Sequence, residues 1–153
     1  MDIFIPLSDE ALKRYEKRIK QNTIILADNT QVHHPKITNL PIQRLASELG
    51  NIIFSNTIAA GVILGIFDAS QDLIDNFIKN LFQKKGEEIV NKNLEAVKIG
   101  YNIGKELKNN KVINININKT ADKNSLLING ADAISINALA GGCNACFAYP
   151  MTP

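Results

Sequence analysis

Cysteine is nearly absent from this chain: Cys143 and Cys146 are the only two in 153 residues. Three positions apart, they cannot form a disulfide framework for a domain, so the fold must rest on its apolar core. No stretch reaches the roughly 18 uninterrupted apolar residues that a membrane span needs. The nearest, Ile52 to Phe67, is broken by polar residues and reads as a buried helix. The amino terminus lacks a basic region followed by an apolar core and a small-residue cleavage site, so a reducing cytoplasm is the expectation. Charge of one sign is missing too, with 17 basic residues against 15 acidic. That balance argues against a general polyanion binder, and the densest basic run, Lys13 to Lys20, reads as a solvated helix face. Neither nucleic acid nor membrane is expected as a partner. Glycines 61, 65, 100, 104, 141 and 142 assemble into no Gly-x-Gly-x-x-Gly and no phosphate loop, so nucleotide-binding signatures are absent.

What is present is 45% hydrophobic residues, enough for an ordinary globular core. Asp2 to Leu7 is a short apolar run that reads as a strand, and Ser8-Asp9-Glu10 supplies a helix start ahead of Ala11, Leu12, Tyr15 and Ile19. Thr23 to Ala27 is continuously apolar, the mark of a buried strand. Thr38 to Gly50 reads as a helix closed by its glycine, and Phe54 to Phe67, apolar nearly all round, as the central helix. Ser70 opens an amphipathic helix through Leu81. Gly86 separates it from a longer one ending near Lys108. From Lys111 the texture changes: Ile113, Ile115 and Ile117 alternate with asparagines at the period of a strand. Residues 109–124 are expected to link two domains. Beyond them, Leu126 to Ile128 is strand-like, Gly130 to Leu139 helical, Gly141-Gly142 a stop, and Ala145 to Ala148 strand-like again, the opening of an α/β domain.

Three groups carry possible chemistry. Cys143 and Cys146 form a Cys-x-x-Cys, the pattern of a redox dithiol or of half a metal site, but zinc needs two further ligands and the histidines stand far away in sequence. The pair precedes a strand rather than a helix start, so the reading is two small buried hydrophobes. His33-His34-Pro35 has no acid or nucleophile close in sequence and reads as a loop after a strand. Tyr149-Pro150-Met151-Thr152-Pro153 differs in kind, because two prolines fix the backbone around one hydroxyl at a strand's carboxyl end. In open α/β sheets ligands gather at that edge; a plain rigid turn is the alternative.

Residues 129–143, with Phe147 to Pro153, resemble the start of the alpha domain of 2-oxoacid:ferredoxin (acceptor) oxidoreductases. That family opens the domain with a "GNEAxALGAxxAG" helix and a "YPITP" turn. Ala131-Asp132 replaces its Asn-Glu, and Met151 its isoleucine. Upstream, the chain is similar to the same family's gamma, or catalytic, domain. Ala46 to Gly50 with Ser55 to Ile58 and Gly61 resembles "AxELG…xNMxxLG", and Asn91 to Ala96 with Gly100-Tyr101 resembles "NxxAFxxGY".

The resemblance implies an α/β chain: the C-terminal portion of a Rossmann-like gamma domain over residues 1–108, a linker over 109–124, and the first strand-helix-strand of a thiamine-enzyme alpha domain over 125–153. It implies an internal fragment of a fused gamma-alpha subunit, since the family's glycine-rich first turn and the rest of its alpha domain are missing. The implied activity is oxidative decarboxylation of a 2-oxoacid on thiamine diphosphate, with electrons passing through iron-sulfur clusters to ferredoxin and coenzyme A taking the acyl group. The fused order leans toward 2-oxoglutarate. Thr152 is the implied substrate-binding hydroxyl, Tyr149 and Pro150 the wall beside the cofactor, and a thiamine diphosphate-binding beta subunit the implied partner. No catalytic residue, metal ligand or bound cofactor is expected in this piece alone. The rival readings are a non-catalytic interaction domain docking through the apolar Ile52 to Phe67 helix and a small thiol redox protein.

Overall fold

The computed structural model of the protein describes residues 1–114 and 128–147. The chain divides into two compact units, Met1–Ile117 and Asn118–Pro153.

The first unit is mixed α/β. Among its described residues three strands, β1 (Ile3–Phe4), β2 (Ile24–Ala27) and β3 (Ile37–Asn39), form a parallel sheet in the order β1-β2-β3. Helix α1 (Asp9–Tyr15) makes the crossover from β1 to β2, and the Ser8 hydroxyl caps it by accepting from the Ala11 N–H at 3.3 Å. The central strand is the one with the unbroken apolar run. Ile25, Leu26 and Ala27 are buried, as a parallel strand covered on both faces requires. Register aligns Ile25 with Ile37 and Leu26 with Thr38.

The stretch expected to be helical from Thr38 is divided in the structure. Ile37–Asn39 pairs as β3, and the helix α2 runs only from Ile42 to Glu48. Pro41 explains the split, since a proline confines the preceding Leu40 to extended backbone while β-branched Ile37 and Thr38 suit a strand. Gly50 ends α2 as expected. Its φ of +100° lets its own N–H reach the Ser47 carbonyl and the Asn51 N–H reach that of Ala46.

Helix α3 (Ser55–Ile66) follows a tight 3-10 turn, Ile52–Phe54, and packs along α5 (Glu87–Asn109), the longest helix of the chain. Gly61 and Gly65 of α3 face Gly100 and Gly104 of α5, so each helix lays backbone against backbone. A methyl group on Gly100 would lie 2.9 Å from the Val62 nitrogen, and one on Gly104 2.8 Å from that of Ile66. Glycine is needed here because no other residue lets two helices approach this closely. Ile58, Val62 and Ile66 are spent in the core with Leu26, Leu40 and Ala96. The apolar helix expected as a docking face is therefore mostly an interior element.

Helix α4 (Gln71–Phe82) covers α5 from another side, burying Ile74 and Ile78 against Val97. Asp68, with φ at +53°, forms ion pairs with Lys105 and Lys108 and ties the α3–α4 corner to the end of α5. After α5 the chain turns through Lys111, also at positive φ (+58°), and the N–H groups of Val112 and Ile113 bond back to the Leu107 carbonyl. Ile113, expected as the first residue of an Ile/Asn strand, is instead 1% exposed in the core. Ile115 and Ile117 lie outside the described residues.

In the second unit, α6 (Gly130–Ala140) starts where expected, and the Asn129 side chain caps it through the Asp132 N–H at 2.8 Å. Gly142, at φ +91°, closes it with the Cys143 N–H on the Ala138 carbonyl. The flanking strands expected on either side are not formed among the described residues: Ile128 and residues 143–147 belong to no ladder. Strands exist through their hydrogen-bonded partners, and a short apolar run without a neighbour has none. Leu126, Leu127 and Ala148 lie outside the described residues.

Candidate functional site

Parallel strands bring the carboxyl ends of β1, β2 and β3 to one edge of the sheet, and Asp28 with its hydrogen-bond partners follows the end of β2 there. Asp28, the residue after β2, is 6% exposed. One carboxylate oxygen accepts from the Thr30 N–H at 3.0 Å and the Thr30 hydroxyl at 2.6 Å, the other from the Gln43 N–H at 2.8 Å. Burial pushes this carboxyl up, but the hydroxyl and the two N–H donors outweigh it and hold the group below its usual value. Asp28 thus stands in for the cap that Pro41 does not supply to α2. Three donors already engage its two oxygens, which makes it an organiser of the edge.

Beside it, Asp9 at the start of α1 reaches the loop between β2 and β3. One oxygen accepts from the His33 backbone N–H at 2.8 Å, and the other lies 2.9 Å from His33 Nδ1. The His33 backbone N–H, and then its ring, keep the Asp9 carboxyl below its ordinary value. With Nδ1 donating to the carboxylate, a neutral ring presents Nε2 as an acceptor. The sequence reading found no acid for His33 because Asp9 stands 24 residues away. Only the parallel βαβ crossover brings them together. The pair is open to solvent, at 74% and 39% exposure, and among the described residues no nucleophile is hydrogen-bonded to it.

Among the described residues no group of three His, Cys, Asp or Glu side chains converges to hold a metal ion. The donor set does not fit an iron-sulfur cluster either, since such a cluster takes four cysteines and the chain has two. Cys143 and Cys146 are exposed free thiols, not the buried hydrophobes expected. They lie just past the stop of α6, whose residues are all exposed or half-buried, so nothing among the described residues of this unit covers them. The Cys143 thiol donates to the Ala145 carbonyl at 3.2 Å. Thr152, Tyr149 and Pro150 lie outside the described residues.

Residues 1–103 match the sequence pattern of a known family, described as pyruvate ferredoxin/flavodoxin oxidoreductase. The chain belongs to that family. Two solved structures share its fold. One is a 2-oxoglutarate:ferredoxin oxidoreductase from Magnetococcus marinus, determined with 2-oxoglutarate, coenzyme A and succinyl-CoA bound; it aligns over 93% of this chain and 26% of its own length, at 24% identity and a TM-score of 0.75. The other is the gamma subunit of a keto/oxoacid ferredoxin oxidoreductase from Geobacter sulfurreducens PCA, covering 69% of this chain and 64% of that one, at 20% identity and a TM-score of 0.52. The chain therefore spans about a quarter of the first relative and under two thirds of the second. No curated protein sequence matches it. Among the described residues of this family member, no helix is long and apolar enough to cross a membrane.

Proposed function

We propose that the chain is part of a cytoplasmic 2-oxoacid:ferredoxin oxidoreductase, with a Rossmann-like gamma-type unit (1–108), a connecting segment (109–124) and the beginning of an alpha-type unit (125–153), joined in one subunit. The observation that carries this reading is the family match over residues 1–103, followed in the same chain by a capped small-residue helix and, further along the sequence, by Tyr149-Pro150-Met151-Thr152-Pro153. The substrate is a 2-oxoacid, with 2-oxoglutarate favoured by the structural relative that binds it. When present, thiamine diphosphate supplies the electron sink for decarboxylation. Its binding partner is a separate beta subunit, with coenzyme A as acyl acceptor and ferredoxin as electron acceptor. The electron-carrying clusters belong to other parts of the assembly, because two cysteines are too few to ligate one.

Within this reading Thr152 holds the substrate. Pro150 and Pro153 restrict the backbone on both sides of its hydroxyl. A hydroxyl donates to a keto or carboxylate oxygen without placing a charge beside the reacting carbon. Tyr149 and Pro150 form the adjacent wall. The first unit contributes a rigid support rather than a reacting group: Asp28 orders the sheet edge and the glycine-paired helices fix the core behind it.

The test is 2-oxoacid-dependent, coenzyme A-dependent reduction of ferredoxin by the complete enzyme, assembled with its beta subunit. A Thr152→Val substitution there should lower kcat/KM for the 2-oxoacid by about 10- to 100-fold, the loss of one hydrogen bond to a charged substrate. Unchanged kinetics would remove Thr152 from the site. Absence of any 2-oxoacid turnover by the assembled complex would remove the functional reading itself.

A further inference from the structure

Cys143 and Cys146 take no part in the chemistry proposed above, yet the fold leaves both thiols free and exposed. Structural cysteines are inert because they are buried, and these two are not. They also share one hollow. Both line a cavity of about 410 Å³ with Ile134, Ala138 and Leu139 of α6, and no charged side chain lies in its wall. A small molecule entering there meets both residues from one side.

Local geometry brings the two side chains toward each other. The Cys143 thiol donates to the Ala145 carbonyl at 3.2 Å, and that carbonyl belongs to the peptide unit that ends at the Cys146 Cα. Standard peptide dimensions put its oxygen ~2.8 Å from that Cα, so the Cys143 sulfur lies within ~6 Å of it. Bonding the two sulfurs from there takes side-chain rotation and a small backbone shift, and residues 143–147 belong to no ladder that would resist one. Zinc or a cluster would take four ligands, and among the described residues no third His, Cys, Asp or Glu joins the pair. A disulfide needs only the two sulfurs.

We propose that Cys143 and Cys146 form a reversible dithiol-disulfide site that exchanges with low-molecular-weight disulfides of the glutathione type. One cysteine thiolate attacks a sulfur of the small disulfide, whose S–S bond breaks; a mixed disulfide with the protein forms and one small thiolate leaves. The second cysteine thiolate then attacks the protein sulfur of the mixed disulfide, which closes the Cys143–Cys146 bond and releases the second small thiolate. The two protons lost by the cysteines pass to the leaving thiolates. The protein pair is thus oxidised by two electrons and the small disulfide reduced to two thiols. In a reducing compartment the pair rests as the dithiol, and it closes when the surrounding thiol pool turns oxidising. The site does not depend on the chain being part of a 2-oxoacid oxidoreductase.

The test exposes the reduced full chain to glutathione disulfide in native buffer. Intact mass spectrometry then counts the thiols that N-ethylmaleimide still labels and the glutathiones still attached. The parent should pass from two labels to none with no glutathione retained, and dithiothreitol should restore both labels. Cys143→Ser and Cys146→Ser should each stop with one glutathione attached, because no second thiol is present to expel it. Expulsion from the parent should be at least ~10-fold faster than exchange from either variant in ~0.1 mM reduced glutathione, since a thiol tethered this closely acts at an effective concentration in the mM range or above. Far-UV circular dichroism should be the same before and after oxidation, since neither cysteine belongs to a helix or strand. Two glutathiones retained on the parent, a disulfide between two chains on a non-reducing gel, or thiols left untouched each overturn the proposal. So does a spectrum that changes on oxidation, which would mean that the pair closes only when α6 is lost.

Discussion

Gly100→Ala is the sharpest test of how the core is held. The added methyl would run into the backbone of α3, into the Ile58 carbonyl and to within 2.9 Å of the Val62 nitrogen. These neighbours are main-chain atoms inside a helix, so no side-chain rotation relieves the clash and the two axes must move apart. Overpacking of this kind costs ~1–3 kcal/mol, and the rigidity of the partner puts Gly100 near the top of that range. Alanine returns about 1 kcal/mol through its better helix propensity. The net loss is ~2 kcal/mol, which for a chain of this size lowers Tm by roughly 4–8 °C. Gly130→Ala is the control, since a methyl there meets nothing within 4 Å and should leave Tm unchanged or raise it. Thermal unfolding followed by circular dichroism reads both variants. If Gly100→Ala melts at or above the parent, the backbone-on-backbone packing of α3 and α5 is wrong.

Two further predictions concern single residues. The hydrogen bonds from Lys105 and Lys108 hold the Asp68 carboxyl down at about 2, against an ordinary 3.8. A depressed carboxyl adds stability that is complete above its unfolded value and is lost as pH falls through the folded one. Denaturation midpoints of the parent should therefore drop as pH falls from about 4 toward 2, and Asp68→Asn should flatten that decline; equal slopes for the two proteins would refute the assignment. Lys111 occupies a left-handed position, φ +58°, at the end of α5, a conformation that costs a side-chain-bearing residue ~1–2 kcal/mol. Lys111→Gly should stabilise by ~0.5–1 kcal/mol once glycine's freedom in the unfolded chain is counted, visible as a higher urea midpoint at unchanged slope. A lower midpoint would count against it.

Local signals were legible along much of the chain. Ser8 caps the helix it was expected to start, α6 begins at Gly130 as expected, and Gly50 and Gly142 end their helices, because a cap is a bond between residues two to five apart. The uninterrupted run of β2 announced a strand buried on both faces. Strand β3 went unread because Leu40, Leu45 and Leu49 carry a helical period across Pro41. The strands expected around α6 rested on apolar runs alone, and such runs make a ladder only when another backbone lies alongside.

The four core glycines mark the boundary between the two kinds of information. Their four-residue spacing within each helix is written in the chain, yet only against phosphate-loop patterns did it read as meaningless. The same holds for the exposed thiols, Cys143 and Cys146. Sequence alone determined the mixed α/β class, the helix limits set by caps and glycines, and the motifs that mark the family. Tertiary structure decided which helix is interior and which keeps an open apolar face, that Gly61 and Gly65 answer Gly100 and Gly104, and that Asp9 finds His33 across the crossover. Caps and periodicities are short-range interactions, encoded within a few residues of where they act. Packing partners are chosen by the whole chain at once, through a geometry that no local window contains.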